Sequence, residues 1–212
     1  MNISIRNEVE SDYRKVEELT REAFWNLYVP GCDEHYLVHK MRTHPDFIKE
    51  LDFVAIHDGE IIGNIMFTKS FIVDEANTKL DTLTFGPIGV LPEYQRKGVG
   101  TALINHSIKI ALEHNYKVVI IEGHPHNYCK HGFKVSKDYN ISNPEGKYPY
   151  SLLVLELEKG FIGEDNWKYH SSDVYKIDSE GLEEYDKQFP FKEKEYKYSQ
   201  YEFLLSCRAY VE

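Results

Sequence analysis

The 212 residues carry 35 acidic against 25 basic side chains, a formal net charge of −10, and 42% are hydrophobic. That balance is ordinary for a globular chain with room for one substantial domain, and it lacks the basic face that broad nucleic-acid binding requires. No apolar run approaches the roughly 18 residues needed to cross a bilayer, and three scattered cysteines (Cys32, Cys129, Cys207) make no disulfide framework, so neither a nucleic-acid nor a membrane partner is expected.

The opening MNISIRNEVE lacks the basic-then-apolar layout of a signal peptide, and its alternating ISIR at 3–6 reads as a first strand. With the unpaired cysteines, this points to a reducing cytoplasm. Ser11 is placed to cap a helix whose apolar face is Tyr13, Val16, Leu19, Ala23 and Phe24. Pro30-Gly31 breaks the chain, and Asp33 is a candidate cap for a second, short helix that ends before Pro45. Residues 53–73 form the clearest hairpin, two apolar runs joined at the tight-turn pair Asp58-Gly59. Another strand is expected from about Leu80 to Val90. A helix follows, with Val99, Leu103, Ile104, Ile108, Ala111 and Leu112 on one side. KVVIIEG at 117–123 is apolar without alternation, which suits a central strand covered on both faces. YSLLVLELE at 150–158 reads as the last strand. Hairpin-connected strands around one strand–helix–strand unit imply a mixed α/β sheet. From Lys159 the apolar periodicity weakens, so the chain divides into a domain at 1–158 and a segment at 159–212, packed on the domain or partly mobile.

The stretch GPIGVLPEYQRKGVGTALI, residues 86–104, sits between a strand and a helix. Its glycines fall where the chain enters the helix, so first-turn amides without helical partners can approach a ligand and favour a phosphate. Arg96 and Lys97 add full positive charges. The loop reads as a pyrophosphate cradle, but not a P-loop, since it ends Gly-Val-Gly-Thr without the required lysine. It is not a dinucleotide-binding fingerprint either, because Leu103 stands where a third glycine belongs.

Gln95-Arg96-Lys97-Gly98-Val99-Gly100 resembles the Q/R-x-x-G-x-G/A signature of the GNAT superfamily of acetyl-CoA-dependent N-acetyltransferases. GHPHNYCKHGFK at 123–134 resembles the family's downstream segment, with Tyr128 four residues before Gly132-Phe133. The order of elements to about residue 158 is similar as well. The resemblance implies an α/β fold with a mostly antiparallel central sheet, splayed between strands 4 and 5 and flanked by helices. It implies acetyl-CoA as cosubstrate and no metal. The pantetheine arm would lie on Ile88, Gly89 and Val90, and the pyrophosphate on the loop from Gln95 through Arg96, Lys97, Gly98, Val99 and Gly100 to Thr101. A freed N–H near Ile88 or Val90 would polarise the thioester carbonyl. A neutral amine would attack directly in a ternary complex, and Tyr128 would act as general acid toward the departing thiolate.

Glu122 is the candidate base at the end of the fifth strand, with His124 on the adjoining loop. Asp33, Glu34 and His35 lie where related enzymes hold the acceptor. Many members carry an asparagine seven residues before the tyrosine; here that position is Ile121, and Asn127 is the candidate substitute. The expected acceptor is the primary amine of a small molecule, which the acidic balance would help to steer. A protein amine, and a non-catalytic CoA-binding module on the same fold, are the alternatives. His124, His126, Cys129 and His131 also raise a zinc reading, but no paired ligand spacing supports it. Cys129 as an acyl carrier lacks a base–orienter pair. The segment from Lys159 is expected to cover the acceptor pocket or to mediate a homodimer.

Overall fold

Side chains along a strand alternate between its two faces, and residues 53–67 use both. Phe53, Ala55, Ile65 and Phe67 pack in one cluster with Val99, Leu103, Ile104 and Ala111. Val54 instead meets Val16 and Leu19, and Met66 meets Leu37, Val38 and Met41. Both faces are therefore apolar, and helices must cover each of them.

The computed structural model describes residues 1–212. Nine strands form one sheet: β1 (Ser4–Asn7), β2 (Phe53–His57), β3 (Glu60–Asp74), β4 (Lys79–Val90), β5 (Val118–Glu122), β6 (Lys134–Val135), β7 (Ile141–Ser142), β8 (Leu152–Glu156) and β9 (Trp167–His170). The main path runs β1-β2-β3-β4-β5-β8-β6, with β9 beside β3 and β7 beside β9. Pairing is antiparallel except between β4 and β5 and between β7 and β9. The helices are α1 (Tyr13–Phe24), α2 (Glu34–Met41), α3 (Val99–Glu113), the single turn α4 (Pro125–Tyr128), α5 (Ser179–Asp186) and α6 (Tyr198–Arg208). α3 covers one face of the sheet; α1 and α2 cover the other. No helix is long and apolar enough to cross a membrane.

The expected hairpin is β2–β3. Asp58 and Gly59 both take positive φ, 49° and 83°, as a two-residue turn between right-twisted strands demands. β5 lies between β4 and β8, and Val118, Val119, Ile120 and Ile121 are at most 1% exposed, which explains its unbroken apolar run.

Three local expectations change, and two short strands are new. Ser11 does not cap α1: the helix begins at Tyr13, and Asp12 accepts the Val9 N–H at 3.0 Å in the turn before it. Leu112 is 46% exposed, while the fully buried Ser107 occupies the inward stripe of α3, because the helix's rotation follows its contact with β2–β4. Residues 150–158 do contain a strand, β8, but it is not the last. The two-residue strands β6 and β7 are too short to show any period.

Residues 159–212 are stitched to the rest at several points. β9 pairs Trp167–His170 with Phe71–Asp74 of β3. α5 docks on the α1–α2 layer through Asp186, whose carboxylate takes two bonds from the Arg21 guanidinium at 2.8 and 3.3 Å. An ionic cluster ties β1 to the same layer. Arg42, just past α2, donates to Glu8 at 2.7 and 2.9 Å and to Glu17 of α1 at 2.7 Å, and all three side chains are at most 7% exposed.

Candidate functional site

The parallel strands β4 and β5 share a single pair, Leu83 with Val119. β4 then runs on to Val90 with its β5-facing edge unpaired. On its other edge β4 stays bonded to β3, but the register shifts where Phe67 faces Phe85 and Ile65 faces Ile88. Gly86 and Pro87 are the bulged pair, and proline lacks the ladder donor that regular pairing would need there.

Alternation identifies which backbone groups face the opening. Leu91 donates its N–H to Ile62 of β3 at 3.0 Å. Counting back by two, Gly89 also turns toward β3, opposite Asn64, whereas Ile88 and Val90 turn away from it. The Val90 carbonyl confirms the direction, since it accepts a bond from the Gln95 side chain at 3.1 Å on the open side. Of the three β4 residues expected to meet a ligand, Ile88 and Val90 line the cavity and Gly89 does not. A Cβ at Gly89 would come within 2.7 Å of Asn64 Oδ1, so that glycine serves strand and helix packing.

Beyond the opening, Arg96 and Gly98 take left-handed conformations, φ 58° and 89°, and α3 starts at Val99. The first bond closing the helix is Ala102 N–H to Gly98 O at 2.9 Å. The amides of Val99, Gly100 and Thr101 therefore have no helical acceptor and carry the positive end of the helix dipole. Gln95, Gly100 and Thr101 line the cavity; Arg96, Lys97 and Gly98 are exposed on the loop outside it, and Val99 is buried beneath.

The cavity between the strands has a volume of about 510 Å³. At the end of β5 it receives Glu122, Gly123 and His124, then Asn127 and Tyr128 from α4. The Tyr128 ring lies across Gly123: a Cβ there would stand 2.4 Å from its Cε2. Phe85 and Phe133 flank the ring with centroids 5.8 and 6.0 Å away. Burial, then the nearby Tyr28 hydroxyl, push the Tyr128 pKa well above the ordinary tyrosine value. Glu122 is open to the cavity yet ringed by protein, and this desolvation raises its pKa.

The α1–α2 side supplies Phe24, Tyr28, Asp33 and Glu34. Burial raises the pKa of both carboxyls, and for Glu34 the adjacent Asp33 charge adds to it. His35 is elsewhere. It is fully buried, with Nε2 3.1 Å from Asp186 Oδ1 and Nδ1 3.4 Å from Cys32 Sγ, and burial lowers its pKa to about 4. Its place is in the packing of α5 on α2. His124, His126, Cys129 and His131 do not gather: no group of three or more His, Cys, Asp or Glu side chains is arranged to hold a metal ion.

Among the cavity residues that carried no motif are Tyr28, Tyr169, Tyr175 and Phe203. Tyr175 donates to the Gly86 carbonyl at 3.3 Å and lies 3.3 Å from Thr68 Oγ1, holding the bulge in place. Tyr169 bonds Thr84 at 2.5 Å. The only signal for the last three was the density of aromatics after Lys159.

A model of the acetyltransferase (GNAT) family matches residues 19–133. The Escherichia coli K12 protein called uncharacterized N-acetyltransferase YhbS is 27% identical over 138 residues, 65% of this chain and 77% of its own. From the same organism, YjhQ is 33% identical over 84 residues, 40% of this chain; the match spans about half the length of that relative, 46%. Among solved structures, E. coli YhbS in complex with CoA superposes with a TM-score of 0.72 at 20% identity, covering 84% of this chain and 93% of that one. A GNAT acetyltransferase from Brucella melitensis in complex with acetyl-CoA gives 0.64 at 19% identity, covering 82% and 98%.

Proposed function

The chain belongs to the acetyltransferase (GNAT) family, and from that premise we propose that it moves an acetyl group from acetyl-CoA to the primary amine of a small molecule, by direct attack in a ternary complex. The observation that carries this reading is the slot itself. An unpaired β4 edge, the free amides that open α3 and the half-buried Tyr128 of α4 surround one cavity.

The residues present fit acetyl-CoA. A Cβ at Gly100 would meet only Ile88 Cδ1 at 3.9 Å and Val90 Cγ2 at 4.0 Å, and one at Gly98 would meet nothing within 4 Å. Packing inside the chain therefore does not require glycine at 100, whereas a phosphate lying on the helix amides would. The amides from Arg96 to Thr101 would hold the pyrophosphate, and the groups of Ile88 and Val90 that face away from β3 would pair with the pantetheine arm. When bound, acetyl-CoA supplies an activated acetyl carbon, whose bond to sulfur breaks as the bond to the amine nitrogen forms, leaving the N-acetylamine and the free thiol.

Tyr128 keeps its proton across the neutral range because burial disfavours the phenolate, so it is poised to protonate the departing sulfur. Glu122, more basic than an exposed carboxylate for the same reason, takes the proton that the attacking ammonium must lose. Asp33 and Glu34, whose burial and like charges disfavour double ionisation, offer the acceptor side carboxyls that a cationic amine would draw into the ionised form. Asn127 borders the same space beside Tyr128.

Gly123→Ala tests the positioning of Tyr128. The new methyl displaces the ring, and turnover is expected to fall by about 100-fold, the scale of a 1 Å misplacement, with the fold retained by circular dichroism. The reading as a whole is tested by thiol release from acetyl-CoA across a panel of amines. Turnover with at least one small primary amine is the expected result. Tight CoA binding without turnover on any amine would favour a non-catalytic CoA-binding module.

A further inference from the structure

The C-terminal helix α6 lies outside the stretch matched by the family model, yet it closes one side of the cavity. Its ends are fixed. At the start, Ser199 donates to the Leu27 carbonyl at 2.8 Å, and the buried Gln200 donates to Asn26 O at 3.1 Å and Glu195 O at 2.9 Å. Past its end, Tyr150 N–H donates to Ala209 O at 2.9 Å and Val211 N–H to Tyr148 O at 2.8 Å. Between these anchors Gln200, Phe203 and Ser206 form the inward side at three-residue spacing, while Tyr201, Leu204 and Leu205 are exposed.

Phe203 is the residue that reaches the cavity. Its ring packs on Tyr28 with centroids 4.4 Å apart and stands 5.8 Å from His124, which is itself 6.1 Å from Tyr28. Three rings from three distant parts of the chain thus form one wall, bridging the α1–α2 side and the end of β5. Asp33, Glu34 and Glu122 line the same cavity. On the acetyl-transfer reading, the cavity of about 510 Å³ would take both the pantetheine end and the acceptor, since Ile88, Val90 and Thr101 line the same space.

We propose that Phe203, backed by Tyr28 and His124, is the specificity-determining wall of the acceptor site, and that it restricts the acceptor to a compact cationic primary amine and excludes the side chain of a polypeptide lysine. This rests on the acetyl-transfer reading above. Because α6 is held at both ends, an acceptor larger than the space beside Phe203, including a lysine that brings its peptide backbone with it, must displace this wall to reach the cavity.

The test measures amine binding to the CoA-loaded full-length protein by calorimetry, using a ladder of straight-chain primary amines, ring-bearing primary amines and a lysine-containing peptide. Turnover is followed in parallel. Wild type is expected to bind the short amines and to show a sharp cut-off with size, with no binding of the peptide. In Phe203→Ala the cut-off moves to larger amines, with affinity for the ring-bearing ones rising at least tenfold and CoA affinity unchanged; Phe203→Leu falls between the two. A cut-off that is missing in wild type, or is the same in both variants, overturns the proposal, as does peptide binding equal to that of the short amines. A movable cut-off without turnover on any amine upholds the wall and overturns the acetyl-transfer reading instead.

Discussion

Tyr128→Phe is expected to lower kcat by about 10² to 10⁴-fold, the range for losing a positioned general acid, with CoA affinity nearly unchanged. The substitution removes one hydroxyl and keeps the ring that packs on Phe85 and Phe133 across Gly123. The cost should therefore fall on the chemical step and leave folding intact, a distinction that single-turnover measurement and a thermal melt can draw. The pH profile supplies a second check. Burial holds the Tyr128 pKa above the ordinary value of 10.0, so wild-type activity should show no alkaline decline from this group through pH 9. An alkaline limb that disappears in Tyr128→Phe at a lower pH would contradict the assignment of an unionised acid.

The largest expected loss of stability comes from Arg42→Ala, about 3–5 kcal/mol, because it leaves the carboxylates of Glu8 and Glu17 buried without their cation. The guanidinium also stacks on the Tyr13 ring at 4.1 Å, so packing is lost along with charge. The denaturant midpoint of the purified variant measures the effect, and a change below 1 kcal/mol would show the cluster to be peripheral. The same cluster gives a pH prediction. Asp52 has its pKa raised above the ordinary 3.8, first by burial and then by the charge of Glu8. The folded chain thus holds a proton that the unfolded chain releases. This contribution is complete at low pH and declines as pH rises from near 4 through the raised folded value. Asp52→Asn removes the decline, so its stability relative to wild type should grow between pH 4 and pH 8.

The features proposed to hold the donor were legible because they are written in backbone chemistry. Gly98 needs a left-handed conformation at the head of a helix, Pro87 needs a place without a ladder donor, and both demands appear as residue type. The Asp58-Gly59 turn was readable for the same reason. The part proposed for the acceptor is written in contacts between distant segments. Nothing around Phe203 announces that it meets Tyr28 and His124, since a lone phenylalanine in a polar helix carries no period. His35 misled by proximity: it adjoins two cavity carboxyls, but the helical turn carries it to the opposite side, into the core. Gly89 sat among ligand-facing neighbours, yet alternation turns it toward β3.

β3 is long enough to have two partners on one edge, β2 along its first half and β9 along its last four residues. The second partner arrives 93 to 99 residues after the edge it closes. During synthesis, then, Phe71 to Asp74 must wait as an open template, able to recruit a foreign strand, until Trp167 to His170 emerge. Closing so wide a loop is slow, and it comes after the local hairpin and the strand–helix–strand unit can form. Tyr169 and Tyr175 reach the cavity only through that late closure. The loop that heads α3 can be assembled early in the life of the chain, whereas the walls of the cavity are complete only when its last quarter arrives.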